Sequence, residues 1–186
     1  TVTFDYTITD GDGDVSTATV TITLAVDSEP TIDVGGANSV DEAALSFGSN
    51  PASNGEFASG SFAITTGNDT IGSLVINGTD VTAGGIVAGA YGTLTVTLAG
   101  GLYSYSYELT TNTDGDATFD QFDVVVTDSD GDFEGDTLII DIVDDVPTAR
   151  DDAASPAEDT AVVIDVFAND TAGADGVDLA ADVALG

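Results

Sequence analysis

Residues 4–27 and 122–145 of this chain are two copies of one acidic hairpin, FDYTITDGDGDVSTATVTITLAVD and FDVVVTDSDGDFEGDTLIIDIVDD. Ten of the 24 aligned positions are identical, and the shared residues are mostly acids, the turn glycine and apolar strand positions. A strand–turn–strand unit that recurs 118 residues later implies a repeat array whose period is one domain long. The 186 residues hold one such period and a remainder, so the expectation is one complete unit over residues 31–147 between partial units at 1–30 and 148–186.

Charge narrows the partners. The chain carries 34 acids against one base, Arg150, for a net charge of −33. Such a surface repels phosphate backbones and anionic lipid, which excludes nucleic acid and membrane insertion as expected partners. No apolar run approaches a membrane span, and the first residues follow a strand pattern rather than that of a signal peptide. Cysteine is absent, so neither disulfides nor thiolate metal sites stabilise the fold. The acids are 28 Asp and 6 Glu, a bias toward the short carboxylate that suits turns and compact oxygen cages rather than helices. Disorder and salt adaptation are the bland explanations of this charge. The first sits poorly with acids placed between well-patterned strands, the second with so little Glu.

Strand alternation is nearly continuous. Val2, Phe4, Tyr6 and Ile8 alternate with Thr3, Asp5, Thr7 and Thr9, and Val20, Ile22, Leu24 and Val26 answer them. Pro30 closes this segment as Pro147 closes the later copy, each blocking further sheet pairing and stiffening the link. Between them, strands are expected at 57–66, 73–76, 79–82, 92–98, 102–109, 122–127 and 137–143, with turns at Asn77-Gly78 and Ala99-Gly100-Gly101. Tyr103, Tyr105 and Tyr107 share one face of their strand and are expected in the core. After Pro147 the sequence again starts in strand fashion. No segment has a helical period, and this pattern predicts an all-β chain built as a Greek-key β-sandwich.

The acids fall into clusters. Asp10, Asp12 and Asp14 share one turn, and Asp128, Asp130 and Asp132 share its copy. Three carboxylates held in one turn repel, and a divalent cation reverses that sign. Calcium, with six to eight loosely arranged hard oxygens, suits such loops better than magnesium; zinc and copper lack their His or Cys ligands. These are not EF-hands, because Val15 and Thr21 in one copy, and Phe133 and Ile139 in the other, stand where that loop requires Gly and Glu. Further acids flank the prolines: Asp27 and Glu29 before Pro30, Asp144 and Asp145 before Pro147, then Asp41-Glu42 and Glu158-Asp159 about a dozen residues after each. A linker acid, a returning acid and a hairpin acid from adjacent units are expected to meet around one Ca2+, the alternative being a solvated acidic face. Asp114-Gly115-Asp116 is either a turn or a minor ion site, and Asn68-Asp69-Thr70, Asn77-Gly78-Thr79 and Asn169-Asp170-Thr171 read as turns rather than glycosylation acceptors.

TDGDGD at 9–14, TDSDGD at 127–132, DEAAL at 41–45, GSLVINGTDVTAGG at 72–85, YGTLTVTL at 91–98, YSYSYELTTNTDGDAT at 103–118 and DIVDDVPTARDDA at 141–153 together resemble the extender repeats of giant bacterial RTX adhesins exported by type I secretion. Residues 1–30, and EDTAVVIDVFANDTAGADGVD after residue 157, resemble the end and start of cadherin-like or VCBS-type repeats. The resemblance implies Ig-like or cadherin-like sandwiches in tandem outside the cell, with calcium stiffening the joints and neighbouring repeats as partners. It implies a structural spacer in a surface adhesin, with a carbohydrate- or surface-binding module as the alternative. An enzyme is not expected: with no His, Cys or Lys, only paired-carboxylate glycoside chemistry stays open.

Overall fold

The computed structural model describes residues 1–35, 38–178 and 181–183. Strands β1 (Val2–Thr9) and β2 (Val15–Ile22) pair antiparallel and form a two-stranded sheet of their own. Ten more strands follow: β3 (Thr31–Asp33), β4 (Asn38–Asp41), β5 (Phe57–Thr65), β6 (Ile71–Ile76), β7 (Thr79–Asp80), β8 (Gly85–Ala88), β9 (Gly92–Ala99), β10 (Leu102–Leu109), β11 (Thr118–Asp128) and β12 (Phe133–Val143). They make two five-stranded sheets, ordered β3-β5-β10-β9-β8 and β4-β12-β11-β6-β7. Every pairing is antiparallel except β4 on β12, which is parallel. The chain is therefore all-β with sandwich-like sheets, and among the described residues no helix is long and apolar enough to cross a membrane.

Period-two alternation places the core. In β10 every second residue is buried, so Tyr103, Tyr105, Tyr107 and Leu109 point inward together, as expected. They meet Phe122, Val124 and Val126 of β11 and Leu138, Ile140 and Ile142 of β12 in one cluster, with Tyr107 edge-on to Phe122 at 6.1 Å between centroids. Gly60 lies opposite Tyr105, and a Cβ there would overlap the tyrosine ring. One carboxylate is also inside. Asp120 accepts the amides of Ala90 at 2.7 Å and Gly92 at 3.1 Å and the Tyr107 hydroxyl at 2.6 Å, which ties the β8–β9 turn to β11. Asn77 and Gly78 have φ of 46° and 79°, the left-handed pair that a tight β6–β7 hairpin needs.

The internal repeat is a repeat in three dimensions. Thr9 opposes Val15 as Thr127 opposes Phe133, so the β1–β2 and β11–β12 hairpins share one register. Their turns match bond for bond. Asp10 Oδ1 accepts the amides of Gly13 at 3.0 Å and Asp14 at 2.8 Å, and Asp128 Oδ1 accepts those of Gly131 at 3.1 Å and Asp132 at 2.9 Å. Gly13 and Gly131 have φ of 102° and 112°, which explains why the third turn residue is glycine in both copies.

Residues 148–178 depart from the strand expectation. The segment contains turns and a single bridge, Thr148 to Thr171, and forms no strand. Its apolar residues Val162, Val163, Ile164 and Val166 are exposed, since a strand pattern produces a strand only where a pairing edge receives it. Near its end Ala174 packs into the core cluster and Gly173 rests against the Asp145 carbonyl.

Candidate metal centres

Four groups of carboxylates bring three ligand oxygens within 4.8 Å of one another among the described residues: Asp10/Asp12/Asp14, Asp27/Asp130/Asp132, Asp69/Asp128/Asp130 and Glu42/Asp144/Asp175. The first is the exposed tip of the β1–β2 hairpin. The second and third share Asp130 and merge into one centre of five acids at the β11–β12 turn. The fourth lies at the far end of β12. Eleven residues of β12 separate these two centres, about 35 Å at 3.3–3.4 Å per residue, so they occupy opposite poles of the sandwich.

At the first pole the acids come from three places. Asp128 ends β11, Asp130 and Asp132 belong to the turn, Asp69 lies in the β5–β6 loop, and Asp27 comes from the linker that arrives from the β1–β2 hairpin. Ser28 fixes that linker: its hydroxyl donates to Asp69 Oδ2 at 2.9 Å and accepts the Asn68 amide at 3.0 Å. Asp128 is buried, and its Oδ2 has no hydrogen-bond partner. Burial raises the Asp128 carboxyl, but closeness to Asp130 and the amides of Gly131 and Asp132 outweigh it and hold it below the usual range. The cost appears on Asp130, pushed up to about 6 by the Asp128 carboxylate, then by desolvation and the charges of Asp27 and Asp69. Without a divalent cation, a proton held between these two carboxyls relieves their repulsion.

At the second pole Glu42 follows β4 in a short 3-10 turn, Asp144 follows β12, and Asp175 comes from the segment after Pro147. Glu42 is fully buried; its Oε1 accepts the Thr113 amide at 2.7 Å, while its Oε2 has no partner. Burial raises Glu42 against the bond from Thr113, and the charges of Asp175 and Asp144 raise it further. Asp144 is raised by desolvation first and then by Asp175, Asp116 and Asp145. No basic side chain offsets the shifts of Glu42, Asp130 or Asp144. A buried carboxylate oxygen with no donor, inside an all-oxygen group with no counter-charge, fits a hard divalent cation.

Of the acids singled out in the sequence, Asp10, Asp12, Asp14, Asp27, Asp128, Asp130, Asp132, Glu42 and Asp144 stand in these groups. Asp41, Asp145, Glu29, Glu158 and Asp159 do not. Asp41 caps the 3-10 turn, accepting the Ala43 amide at 2.9 Å. Asp145 is buried and accepts the amide and hydroxyl of Ser49 at 2.7 and 2.5 Å, so each of its oxygens already has a donor. Glu29, Glu158 and Asp159 are exposed. Two members escaped the sequence reasoning, Asp69 and Asp175. Both stand in short turn sequences, NDT and ADG, and only the fold brings those loops to the poles. No protein-family model matches this chain, and comparison with curated proteins finds no match either.

Proposed function

We propose that this chain is a calcium-dependent structural extender segment of a large secreted bacterial surface adhesin or filament. The carrying observation is that each pole joins acids of the sandwich to one acid of a flanking segment, Asp27 at one end and Asp175 at the other. Bound there, Ca2+ would supply the positive charge that these carboxylates lack. Asp69, Asp128, Asp130 and Asp132 would hold it with Asp27, and Glu42 and Asp144 with Asp175, coupling the segments' positions to occupancy. The poles lie along the strand axis, so modules joined there extend end to end. Strand order supports an Ig-like Greek key: the chain enters split between both sheets through β3 and β4, and the sheets then follow the immunoglobulin pattern of B-E-D facing C-F-G. The matched hairpins support tandem repetition of related units.

The test is a melt of metal-stripped protein titrated with calcium at neutral pH. Extracellular modules of this type bind at about 0.1–1 mM, so the transition should rise steeply across that range. Equal melting temperatures in excess calcium and in chelator would remove the proposal. A second reading, a ligand-binding module, gains one observation: Phe133 projects into solvent directly after Asp132 of the first pole. Calcium-dependent glycan binding by the wild type that is lost in Phe133→Ala would favour it over a pure spacer.

A further inference from the structure

We propose that the first pole is built for two cations rather than one: an inner ion held by Asp69, Asp128 and Asp130, and an outer ion held by Asp27, Asp130 and Asp132, with the Asp130 carboxylate bridging them. This count of ions rests on the calcium reading of the pole and adds an order of binding to it. In each set three ligand oxygens lie within 4.8 Å of one another, a spread that fits around one Ca2+ with its oxygens at about 2.3–2.6 Å. The five acids do not form one such set, and Asp130 alone belongs to both. An ion centred in either set therefore leaves two carboxylates of the other set outside its shell. One divalent ion also offsets only two of the five negative charges, and the chain's single base, Arg150, is in neither set.

The two positions are made of different parts of the chain. The inner set belongs to the sandwich itself, to the β5–β6 loop and the β11–β12 turn, which the Thr70 amide joins by donating to the Ser129 hydroxyl at 3.4 Å. Asp128 is 3% exposed, and its Oδ1 is taken by the amides of Gly131 and Asp132. Its buried Oδ2 has no hydrogen-bond partner and is the oxygen left for an ion. The outer set is more exposed and contains Asp27 of the linker. That linker has a seat of its own on the β5–β6 loop. The Ser28 hydroxyl reaches the Thr66 carbonyl at 3.1 Å and Asp69 Oδ2 at 2.9 Å, and a Cβ on Gly67, whose φ is 60°, would overlap the Ser28 side chain. Asp27 is thus carried to the turn beside an acid of the inner set. The inner ion, which satisfies a buried oxygen, binds first and steadies the module; the outer ion binds second and clamps the linker.

Terbium and europium, hard cations that take all-oxygen sites, test for the pair in the full chain. Two ions that share a carboxylate lie about 3.5–4 Å apart, close enough for excited terbium to pass its energy to europium. The two poles, about 35 Å apart, are too distant for that transfer. Adding europium to the terbium-loaded wild type should shorten the terbium lifetime, and Asp27→Ala, which spares the inner set, should restore it. Calcium bound per chain in equilibrium dialysis should fall by one ion in Asp27→Ala and by two in Asp130→Ala, with β10–β12 amides still protected in both. An unshortened lifetime in the wild type, or the loss of one ion in both variants, overturns the second ion and leaves the calcium reading standing. A wild type that binds no calcium removes both.

Discussion

Glu42 and Asp128 hold the two oxygens on which the candidate centres turn, and Asp130 shows what happens to their neighbours without a cation. A carboxyl whose value is raised in the folded chain favours folding while protonated. Its contribution is complete below the unfolded value and disappears as pH rises through the folded value. Asp130 moves from 3.8 to about 6, and Glu42 and Asp144 are raised as well. Asp128, held low, acts with the opposite sign only below the usual carboxylate range. Metal-stripped protein should therefore lose stability as pH rises from about 4 to 6, the interval between the unfolded and folded values of Asp130, and excess calcium should flatten that slope. Thermal melts at both ends of the window check it; a metal-free protein most stable at pH 7.5 would contradict it. Glu42→Gln keeps an acceptor for the Thr113 amide and removes the buried charge. The metal-free melting temperature should rise by a few degrees and the calcium-induced increment should shrink, both read in one titration. Asp120 has a different role, with its lone pairs filled by amides and the Tyr107 hydroxyl. Asp120→Ala should cost about 3–4 kcal/mol in urea unfolding with or without calcium, because it strands several buried donors at once.

Among the elements, the two hairpins form a natural comparison: one sequence pattern, one register, two environments. β11–β12 lies between β6 and β4 and over the opposite sheet, whereas β1–β2 has only itself, and an isolated two-stranded hairpin is marginal in water. Hydrogen exchange on dilute, chelated protein should show β10, β11 and β12 protected to the global limit, with β1, β2 and residues 149–170 exchanging orders of magnitude faster. Equal protection of β1 and β11 would contradict the exposure of the hairpin's apolar face. Strand existence was largely legible from alternation, and β10 shows why: its tyrosines leave only one assignment of faces. The parallel strand β4 and the short β8 were not legible, since four residues mixed with glycine or polar side chains carry no period. The failure of 148–178 to form strands has the same root, because alternation states a preference that only a pairing edge can realise.

At the scale of the molecule, the arrangement of charge along the long axis matters more than the total of −33. Acids gathered at two poles about 35 Å apart leave the middle of the sandwich to its apolar core. Asp27 and Asp175 belong to the flanking segments and lie outside the core cluster, so replacing either with Ala removes a contact at a pole, Asn112 to Asp175 included, and leaves the core packing as it is. Small-angle scattering in calcium should then show a broader distribution of maximum dimensions, while the main unfolding transition moves by less than a few degrees. Collapse of the central sandwich in either variant would place that residue in the core's stability rather than at the joint.

Composition and alternation alone determined the all-β class, the repeat and its register, the tyrosine face and the hard-oxygen character of any site, because each is a property of local spacing or of ligand chemistry. The tertiary structure decided which acids meet. Asp27 and Asp145 occupy equivalent positions of the repeat, yet one joins a carboxylate group and the other is satisfied by Ser49. Asp69 and Asp175 enter the groups from loops 59 and 31 residues away in sequence from Asp128 and Asp144. Ligand sets of this kind are made by loops converging at the ends of a sandwich, and that convergence follows from sheet order and strand length, neither of which leaves a mark on the spacing of the acids themselves.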